Sequence, residues 1–328
     1  MKSKKRLIYP VCFGAVLALF TLFVLLDAFV IPREYASAEK DGDRVARFLA
    51  SQTERPEEET EHGPETGESH YESETSVPET EPAPEYPVIT DDCYKDEYIE
   101  IKIETTRFQN ANVYIADIKL ASPVFLQTAF AKGKFGKNVK APTSDVAEEV
   151  NAILAINGDF YGARDSGFVV RGGTVYRDTP EDADALIISE NGDFSFANEK
   201  TSNVYDLIEN GAYEILSFGP TLVVDGRITA SDGKGRSSKD NPRTALGQID
   251  ENHYVFVVVD GRTDKSDGLS ISELGALMKK IGCKNAYNLD GGGSSTMYFN
   301  GRVVNSPTYT GETITERSVS DIVYVGYS

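Results

Sequence analysis

Three consecutive glycines, Gly291, Gly292 and Gly293, constrain the fold of this sequence more than any other feature. They follow a strand-like run at 285–289 and the carboxylate of Asp290. Each glycine costs backbone entropy on folding, so a run of three indicates positive φ angles or a ligand that approaches the backbone closely. A strained turn between two strands would explain the run by itself. A functional interpretation needs other parts of the chain to point to the same place.

The segment before the glycines predicts a strand, a helix and a second strand. Residues 253–259 are apolar and β-branched, and residues 270–281 have the spacing, capping box and glycine stop of an amphipathic helix. With the strand at 285–289, this order predicts a βαβ unit that contains two parallel neighbouring strands. Parallel strands end at the same edge of a sheet, where open α/β sheets bind ligands. Asp260 and Asp290 are therefore expected to share that edge.

A third apolar run, at 152–156, also stops at polar side chains beside a glycine. It ends in Asn157 and Asp159, which join Asp260 and Asp290 if the strand runs in the same direction. Such residues are ordinary in turns, so each instance alone has a structural explanation. All three together favour a shared polar site. The expected fold is α/β (α+β), with a mixed β-sheet core, a βαβ unit near the C-terminus and few helices.

The first 38 residues predict a basic cytoplasmic start followed by a membrane anchor. The apolar run at 7–31 has the length of a bilayer span, which needs about 20 residues. The basic residues before it predict a cytoplasmic N-terminus and a C-terminal domain outside the cytoplasm, held at the cell membrane by one helix in the lipid bilayer. A signal peptide that is cleaved after the small residues at 36–38 is the alternative.

Residues 39–90 predict an acidic, disordered tether, and residues 91–328 predict the folded domain. The tether is rich in Glu, Thr, Ser and Pro, and such a composition buries too little apolar surface to offset the entropy of ordering. The whole chain has a net charge of −19. This charge excludes nucleic acid as a partner, because phosphate backbones require a basic protein surface.

The sequence predicts no cofactor and no dedicated metal site. It has no C-x-x-C motif, and its three histidines are scattered. A divalent cation such as Ca²⁺ held by Asp159, Asp260 and Asp290 stays an alternative, because hard cations bind carboxylate oxygens. A disulfide between Cys93 and Cys283 also stays open, since both lie in the part that is expected outside the cytoplasm.

Six short motifs occur in order along the chain. They lie at 157–161, 167–171, 219–222, 241–245, 259–262 and 288–296. Together they resemble the phosphodiester glycosidase family, and the resemblance extends over residues 99–327. It implies hydrolysis of a sugar 1-phosphodiester, such as an N-acetylglucosamine 1-phosphodiester, at its glycosidic bond. Bacterial relatives are often described as exopolysaccharide-biosynthesis proteins, so a surface glycan or a sugar phosphate is the expected substrate.

The motifs contain the residues that we expect in the site, except Arg317, which lies at 316–319 and also resembles a family position. The expected catalytic residues are Asp290, Arg243 and Asp159. The family often has a second glycine at the position of Asp159, which weakens the case for this residue as a general catalyst. The expected substrate-binding residues are Asn157, Gly291, Gly292, Gly293, Ser294, Ser295, Thr296, Asp260, Arg262 and Arg317.

These residues predict a mechanism in which Arg243 and the glycine amides stabilise the charge on the departing phosphate. Asp290 acts as a base or stabilises the oxocarbenium ion, and Asn157 orients sugar hydroxyls. Asp260 and Arg262 support these groups. A non-catalytic protein that binds surface polysaccharide or assists envelope assembly would use the same polar crevice, and this is the alternative function.

Overall fold

The computed structural model describes residues 2–37, 42–53, 86–233 and 239–328. Five α-helices lie in these ranges: α1 (Lys2–Phe29), α2 (Gly42–Thr53), α3 (Thr143–Glu149), α4 (Val204–Glu209) and α5 (Ile271–Ile281). The first eleven strands are β1 (Arg33–Ser37), β2 (Val88–Ile89), β3 (Cys93–Lys95), β4 (Ile99–Phe108), β5 (Ala111–Leu120), β6 (Leu126–Phe130), β7 (Lys134–Lys137), β8 (Leu154–Asn157), β9 (Val169–Arg171), β10 (Thr174–Arg177) and β11 (Asp184–Ser189). The other ten are β12 (Phe194–Asn198), β13 (Ala212–Leu216), β14 (Thr221–Val224), β15 (Arg227–Ile228), β16 (Arg243–Asp250), β17 (His253–Val259), β18 (Asn285–Asn288), β19 (Met297–Phe299), β20 (Arg302–Val303) and β21 (Asp321–Val325).

Most of the strands belong to three large sheets. The largest has nine strands in the order β15-β14-β18-β16-β17-β5-β4-β3-β2. Two five-stranded sheets have the orders β20-β19-β8-β21-β6 and β10-β9-β13-β11-β12, and β1 pairs with β7. Several sheets with few helices confirm the predicted α+β class.

The predicted pairing of two parallel neighbouring strands is wrong. β16 lies between β17 and β18 and is antiparallel to both, so α5 crosses over an intervening strand. The ladders among the described residues are antiparallel, and the sheet is therefore not mixed. Because β17 and β18 still run in the same direction, their carboxyl ends share one edge. The amino end of β16, at Arg243, lies between them.

The nine-stranded sheet is buried on both faces. Along β17, Phe256 and Val258 belong to one apolar cluster, whereas Val255, Val257 and Val259 belong to another. This alternation explains why a strand with two covered faces reads as a continuous apolar run. The second cluster includes the apolar stripe of α5, and the first includes strands of both five-stranded sheets.

Helix α5 has the ends that its sequence predicts, whereas α3 does not. Ser270 and Glu273 form a capping box, and Gly282 ends the helix with a φ of 106°. Ser144 is a residue type that favours the N-cap of α3, but Pro142 occupies that position. The backbone N–H and the hydroxyl of Ser144 instead donate to the carboxylate of Glu316.

Part of the predicted disordered tether is a helix that packs on the domain. Val45 is 1% exposed, and Phe48 meets the ring of Phe125 at 5.4 Å between centroids. Val45, Phe48 and Leu49 have i, i+3, i+4 spacing and form one apolar face of α2, which the acidic average composition of the segment conceals. The rest of the tether, at 54–85, lies outside the described residues.

The predicted membrane anchor falls within α1 and the residues just after it. Its described side chains include exposed apolar groups such as Phe13, Leu19 and Phe20. Among the helices in the described ranges, none combines the length and the apolar character that crossing a bilayer requires. The anchor therefore stays a prediction.

Two further points concern β7 and the cysteines. The Gly and Lys content of residues 132–142 predicts a flexible loop, but β7 lies there and pairs with β1. The disulfide is absent, because Cys93 on β3 and Cys283 after α5 are both free thiols. Cys283 is 2% exposed, and burial raises the pKa of its thiol to about 12. The Gly-, Ser- and Lys-rich segment at 230–241, whose composition predicts a mobile loop, includes residues 234–238, which lie outside the described residues.

Candidate active site

The glycine run meets the start of β16 at one edge of the nine-stranded sheet. Leu289 donates its backbone N–H to the carbonyl of Thr244 (2.9 Å), and Gly292 donates to the carbonyl of Pro242 (2.8 Å). These bonds connect the end of β18 to the residues around Arg243. The predicted convergence of the two motifs is therefore present, although the strands that produce it are antiparallel.

Asp290 forms an ion pair with an arginine that reaches solvent. Its Oδ2 accepts a hydrogen bond from Nη2 of Arg317, whose Nε donates to Oγ of Ser294 (2.7 Å). The side chain of Asp290 is 11% exposed and that of Arg317 is 32% exposed. Burial raises the pKa of Asp290, while Arg317 and the hydroxyl of Ser294 oppose the shift. The three predicted residues thus form one charged cluster.

The segment that carries Arg317 is held by two other parts of the chain. The backbone N–H of Arg317 donates to the carbonyl of Gly293 (3.3 Å), and the carboxylate of Glu316 accepts from Ser144 at the start of α3. The guanidinium carbon of Arg317 lies 5.2 Å from the ring centroid of Phe160. These contacts fix the arginine beside Asp290 before any ligand is bound.

Asn157 joins three motifs and does not face a sugar. It is fully buried. Its Oδ1 accepts from the hydroxyl of Thr244 (2.8 Å) and from the backbone N–H of Thr296 (3.3 Å). Its Nδ2 donates to the carbonyl of Asp290 (2.6 Å). The predicted role in orienting sugar hydroxyls is therefore wrong for this arrangement, and Asn157 positions Asp290 instead.

Asp159 lies in a second, sealed cluster. Its carboxylate accepts from the backbone N–H groups of Tyr161 and Ser217 (both 3.0 Å) and forms an ion pair with Arg171 (3.2 Å). Arg171 also pairs with Asp321 at 2.7 Å. Burial, and next the charge of Asp159, raise the pKa of Asp321 to about 7. Since Asp159 has no exposed surface, the expected catalytic contact with substrate is not present.

Asp260 is also enclosed. Its carboxylate accepts from Nδ2 of Asn305 (2.9 Å), the backbone N–H of Ser306 (3.1 Å) and the hydroxyl of Tyr114 (3.1 Å). Burial raises its pKa. Asp159, Asp260 and Asp290 thus have separate partners. Within the ranges that the structure covers, no three acidic, His or Cys side chains are grouped to hold a metal ion.

The three glycines are required by contacts within the protein. A Cβ on Gly291 would lie 2.7 Å from the carbonyl oxygen of Pro242, and one on Gly293 would lie 2.9 Å from the ring of Tyr309. Gly292 has a φ of 62°, and its Cβ would lie 2.8 Å from Nη2 of Arg262. The chain itself therefore occupies the space expected for a ligand. Because the amide of Gly292 is bonded to Pro242, the three amides do not form an open anion nest.

Arg243, which was expected to contact the departing phosphate, is buried. Arg262, which was expected to support it, is exposed. Arg243 is 8% exposed, and its Nε donates to the carbonyl of Leu269 (2.8 Å). Burial lowers the pKa of Arg243 to about 10, so it remains a cation at neutral pH. Arg262 is exposed and donates to the carbonyl of Tyr309 (2.8 Å) and to Oδ1 of Asn241 (3.2 Å). Arg262, rather than Arg243, presents its guanidinium to solvent.

Comparison with known proteins identifies the family. Residues 150–326 match the model of the phosphodiester glycosidases. The chain belongs to the phosphodiester glycosidase family.

Similar proteins come from bacteria and animals. The uncharacterized SPbeta prophage-derived protein YomE of Bacillus subtilis (strain 168) is 28% identical over 203 residues, which are 59% of this chain and 31% of that protein. The human N-acetylglucosamine-1-phosphodiester alpha-N-acetylglucosaminidase is 33% identical over 107 residues, which are 33% of this chain and 20% of that enzyme. The chain therefore spans less than a third of the length of these relatives.

Two solved structures share the fold. The catalytic domain of the zebrafish N-acetylglucosamine-1-phosphodiester alpha-N-acetylglucosaminidase, auto-inhibited by its pro-peptide, has a TM-score of 0.56 at 20% identity, with 69% of this chain and 82% of that chain covered. A hypothetical protein from Synechocystis has a TM-score of 0.55 at 13% identity, with 70% and 62% covered. The α+β fold of this family member is thus similar to that of a known catalytic domain.

Several residues of the candidate site were not predicted. Phe160 lies in the motif at 157–161, and an aromatic residue next to Asp159 in this motif could have indicated that it belongs to the site. Glu316 directly precedes Arg317, and only its contact with Ser144 reveals its positioning role. Tyr309 could not be recognised from the sequence, because it lies in a polar loop outside the six motifs.

The buried hydroxyl oxygens of Ser295 and Thr296, two of the expected substrate-binding residues, have no hydrogen-bond partner among the described residues.

The Asp290 cluster lies apart from three cavities among the described residues. Cavities of about 370, 460 and 400 Å³ lie elsewhere, and neither Asp290 nor Arg317 lines them. We favour the Asp290 cluster as the site because it combines a carboxylate of raised pKa with accessible cations.

Proposed function

We propose that the chain hydrolyses a sugar 1-phosphodiester at the glycosidic bond and releases a free sugar and a phosphomonoester. The observation that carries this proposal is the Asp290–Arg317–Ser294 cluster. Of the carboxylates predicted in the site, only that of Asp290 has a cationic partner that reaches solvent in the described part of the chain. Family membership supports hydrolase chemistry of this type.

The leaving group explains how one carboxylate, that of Asp290, suffices. Most glycoside hydrolases use two carboxylic groups, one of which protonates the departing oxygen. In a sugar 1-phosphodiester the departing group is a phosphomonoester. This group is a stable monoanion or dianion, so its oxygen needs little protonation. Asp159 and Asp260 are enclosed by their own partners. Their unavailability as general acids therefore fits a phosphodiester better than an ordinary glycoside.

Two arginines supply the charge that a departing phosphate requires. Arg317 and Arg262 both reach solvent and carry planar guanidinium groups that match phosphate oxygens. Arg317 also opposes the rise in the pKa of Asp290 that burial causes, because its charge favours the carboxylate. Asp290 then stabilises the oxocarbenium ion or takes the proton of the attacking water. The buried Arg243 adds positive charge from behind the glycine run.

The substrate and the location complete the proposal. We place the enzyme outside the cytoplasm, held at the membrane by the apolar run at 7–31, with surface or exopolysaccharide glycans as substrates. The basic residues before that run support this orientation. The acidic net charge also disfavours nucleic-acid phosphodiesters as substrates.

The direct test is sugar release by the full-length chain. Incubation with methyl N-acetylglucosamine 1-phosphodiester or UDP-N-acetylglucosamine should produce free N-acetylglucosamine. The Asp290→Asn variant should produce almost none under the same conditions. Activity should persist in EDTA, since no metal cluster is evident among the described residues. Binding without release in the wild type would instead indicate a non-catalytic glycan-binding protein.

A further inference from the structure

The loop after β20 presents an aromatic ring beside the glycine run. Tyr309 is 62% exposed. A Cβ on Gly293 would lie 2.9 Å from its ring, so the ring covers the backbone that follows Asp290. The guanidinium carbon of Arg262 lies 6.0 Å from the ring centroid. An exposed aromatic face and an exposed cation therefore lie next to each other at the candidate active site.

This loop is held in place by hydrogen bonds. The hydroxyl of Thr308 donates to the carbonyl of Thr313 (2.7 Å) and accepts from the backbone N–H of Gly311 (2.9 Å). Thr315 donates its backbone N–H to the carbonyl of Pro307 (2.8 Å). A loop that is ordered before binding loses little entropy when it receives a ligand. The ring of Tyr309 is thus prepared for contact without being buried in the core.

A second set of contacts ties the loop to Arg262. Nη1 of Arg262 donates to the carbonyl of Tyr309 (2.8 Å), and Nη2 donates to Oδ1 of Asn241 (3.2 Å). These two bonds use part of the five N–H donors of a guanidinium. Gly311 has a φ of 90° and packs against the backbone of Arg262, where a Cβ would meet the carbonyl oxygen at 2.0 Å. Ring and guanidinium are therefore fixed relative to each other.

We propose that Tyr309 and Arg262 form a subsite for a phosphorylated sugar, with the phosphate on Arg262 and the sugar ring stacked on Tyr309. A guanidinium matches phosphate oxygens, and an aromatic face matches the C–H surface of a pyranose. In the proposed reaction this ligand is the leaving group, so the inference rests on the proposed function for its place in catalysis. Tyr309 then selects substrates by the sugar beyond the phosphate.

Equilibrium binding to the full-length chain tests this subsite without requiring turnover. Titration calorimetry would compare a hexose 6-phosphate with inorganic phosphate. Tyr309→Ala should weaken the binding of hexose 6-phosphate by about three- to tenfold, because stacking on an aromatic ring contributes about this much affinity. The affinity for inorganic phosphate should stay unchanged. Tyr309→Phe should bind both ligands as the wild type does. Arg262→Gln should weaken both ligands.

A matched control and three outcomes decide the proposal. Tyr205 is a similarly exposed tyrosine on α4, at 54%, and Tyr205→Ala should change neither affinity. Equal binding of hexose 6-phosphate by Tyr309→Ala and the wild type would overturn the subsite, as would an equal loss for both ligands. A wild type that binds neither ligand would also overturn it. Selective loss in Tyr309→Ala without sugar release by the wild type would keep the subsite and refute the hydrolase.

Discussion

Asp290 and Asp159 have similar sequence settings and opposite surroundings. Each follows a buried strand and lies beside glycine. The side chain of Asp159 is 0% exposed and that of its partner Arg171 is 6% exposed, whereas Arg317, the partner of Asp290, is 32% exposed. The first pair is sealed inside the protein, and the second reaches solvent. The accessibility of the cation, rather than the motif, separates a structural aspartate from a chemically usable one.

The two environments also have different energetic consequences. A buried ion pair costs desolvation, which its hydrogen bonds must offset, and removal of one partner leaves an uncompensated charge. Asp159 has two backbone N–H donors besides Arg171, so its carboxylate is well satisfied. Asp290 relies on Arg317 and on Ser294, and burial raises its pKa. We therefore expect damage to stability at the first cluster and damage to turnover at the second.

The largest expected effect is the loss of turnover in Asp290→Asn. This change removes the one carboxylate whose partner is exposed, so kcat for a sugar 1-phosphodiester should fall by about 10²- to 10⁴-fold. The melting temperature should change little. The matched variant Asp159→Asn should show the reverse pattern, with lower stability and a much smaller loss of kcat per folded molecule. If Asp290→Asn keeps full turnover, the assignment is wrong.

The next effect is on stability. Arg171→Met removes the cation that Asp159 and Asp321 share, and should lower the free energy of unfolding by about 3–5 kcal/mol. Urea denaturation followed by circular dichroism measures this change. Turnover per folded molecule should stay close to that of the wild type. A stable Arg171→Met protein without activity would place the sealed cluster in the active site and contradict the comparison.

Arg317 provides a smaller test of the exposed cluster. Arg317→Gln should lower kcat by about 10²- to 10³-fold, because it removes a donor that stabilises transition-state charge. Arg317→Lys should recover part of this loss, since lysine keeps the charge without the planar fork. Steady-state kinetics on one phosphodiester gives all three values. Equal activity in Arg317→Gln and the wild type would remove this arginine from the mechanism.

The last prediction is a pH dependence of stability at the sealed cluster, which is small at each single step of pH. The pKa of Asp321 rises from 3.8 to about 7 on folding. Between these values the folded protein holds a proton that the unfolded chain has released, so the free energy of unfolding falls as pH rises, by at most about 1.4 kcal/mol per unit. The contribution is fully present below the unfolded pKa and is lost by about pH 7. Asp321→Asn should flatten this slope in urea titrations; an unchanged slope would contradict the shift.

Local sequence signals predicted much of the fold. The capping box at Ser270 and Glu273, the apolar spacing of α5 and the β-branched run of β17 depend on near neighbours, and all three are present. The position of β16 between β17 and β18 was not predictable, because strand pairing depends on contacts between distant residues. Helix α2 was missed because three apolar residues lie within an acidic segment.

The candidate site shows the same difference between local sequence signals and contacts between distant residues. The motifs indicated that Asp290 and Asn157 lie together, and they do. Whether a carboxylate is enclosed depends on residues far along the chain, such as Asp321, whose Oδ1 accepts from the backbone N–H of Asp159. Tyr309 could not be found from sequence, because only the folded loop brings it to Gly293.

Hydrolysis of an N-acetylglucosamine 1-phosphodiester in ¹⁸O-labelled water tests the central claim most directly. Attack at the sugar carbon breaks the glycosidic C–O bond, so the label should enter the released sugar and the phosphomonoester should contain none. Mass spectrometry of the phosphomonoester measures this, because its oxygens do not exchange with water under mild conditions. Label in the phosphomonoester would show attack at phosphorus, and the site around Asp290 would then belong to a phosphodiesterase rather than a glycosidase.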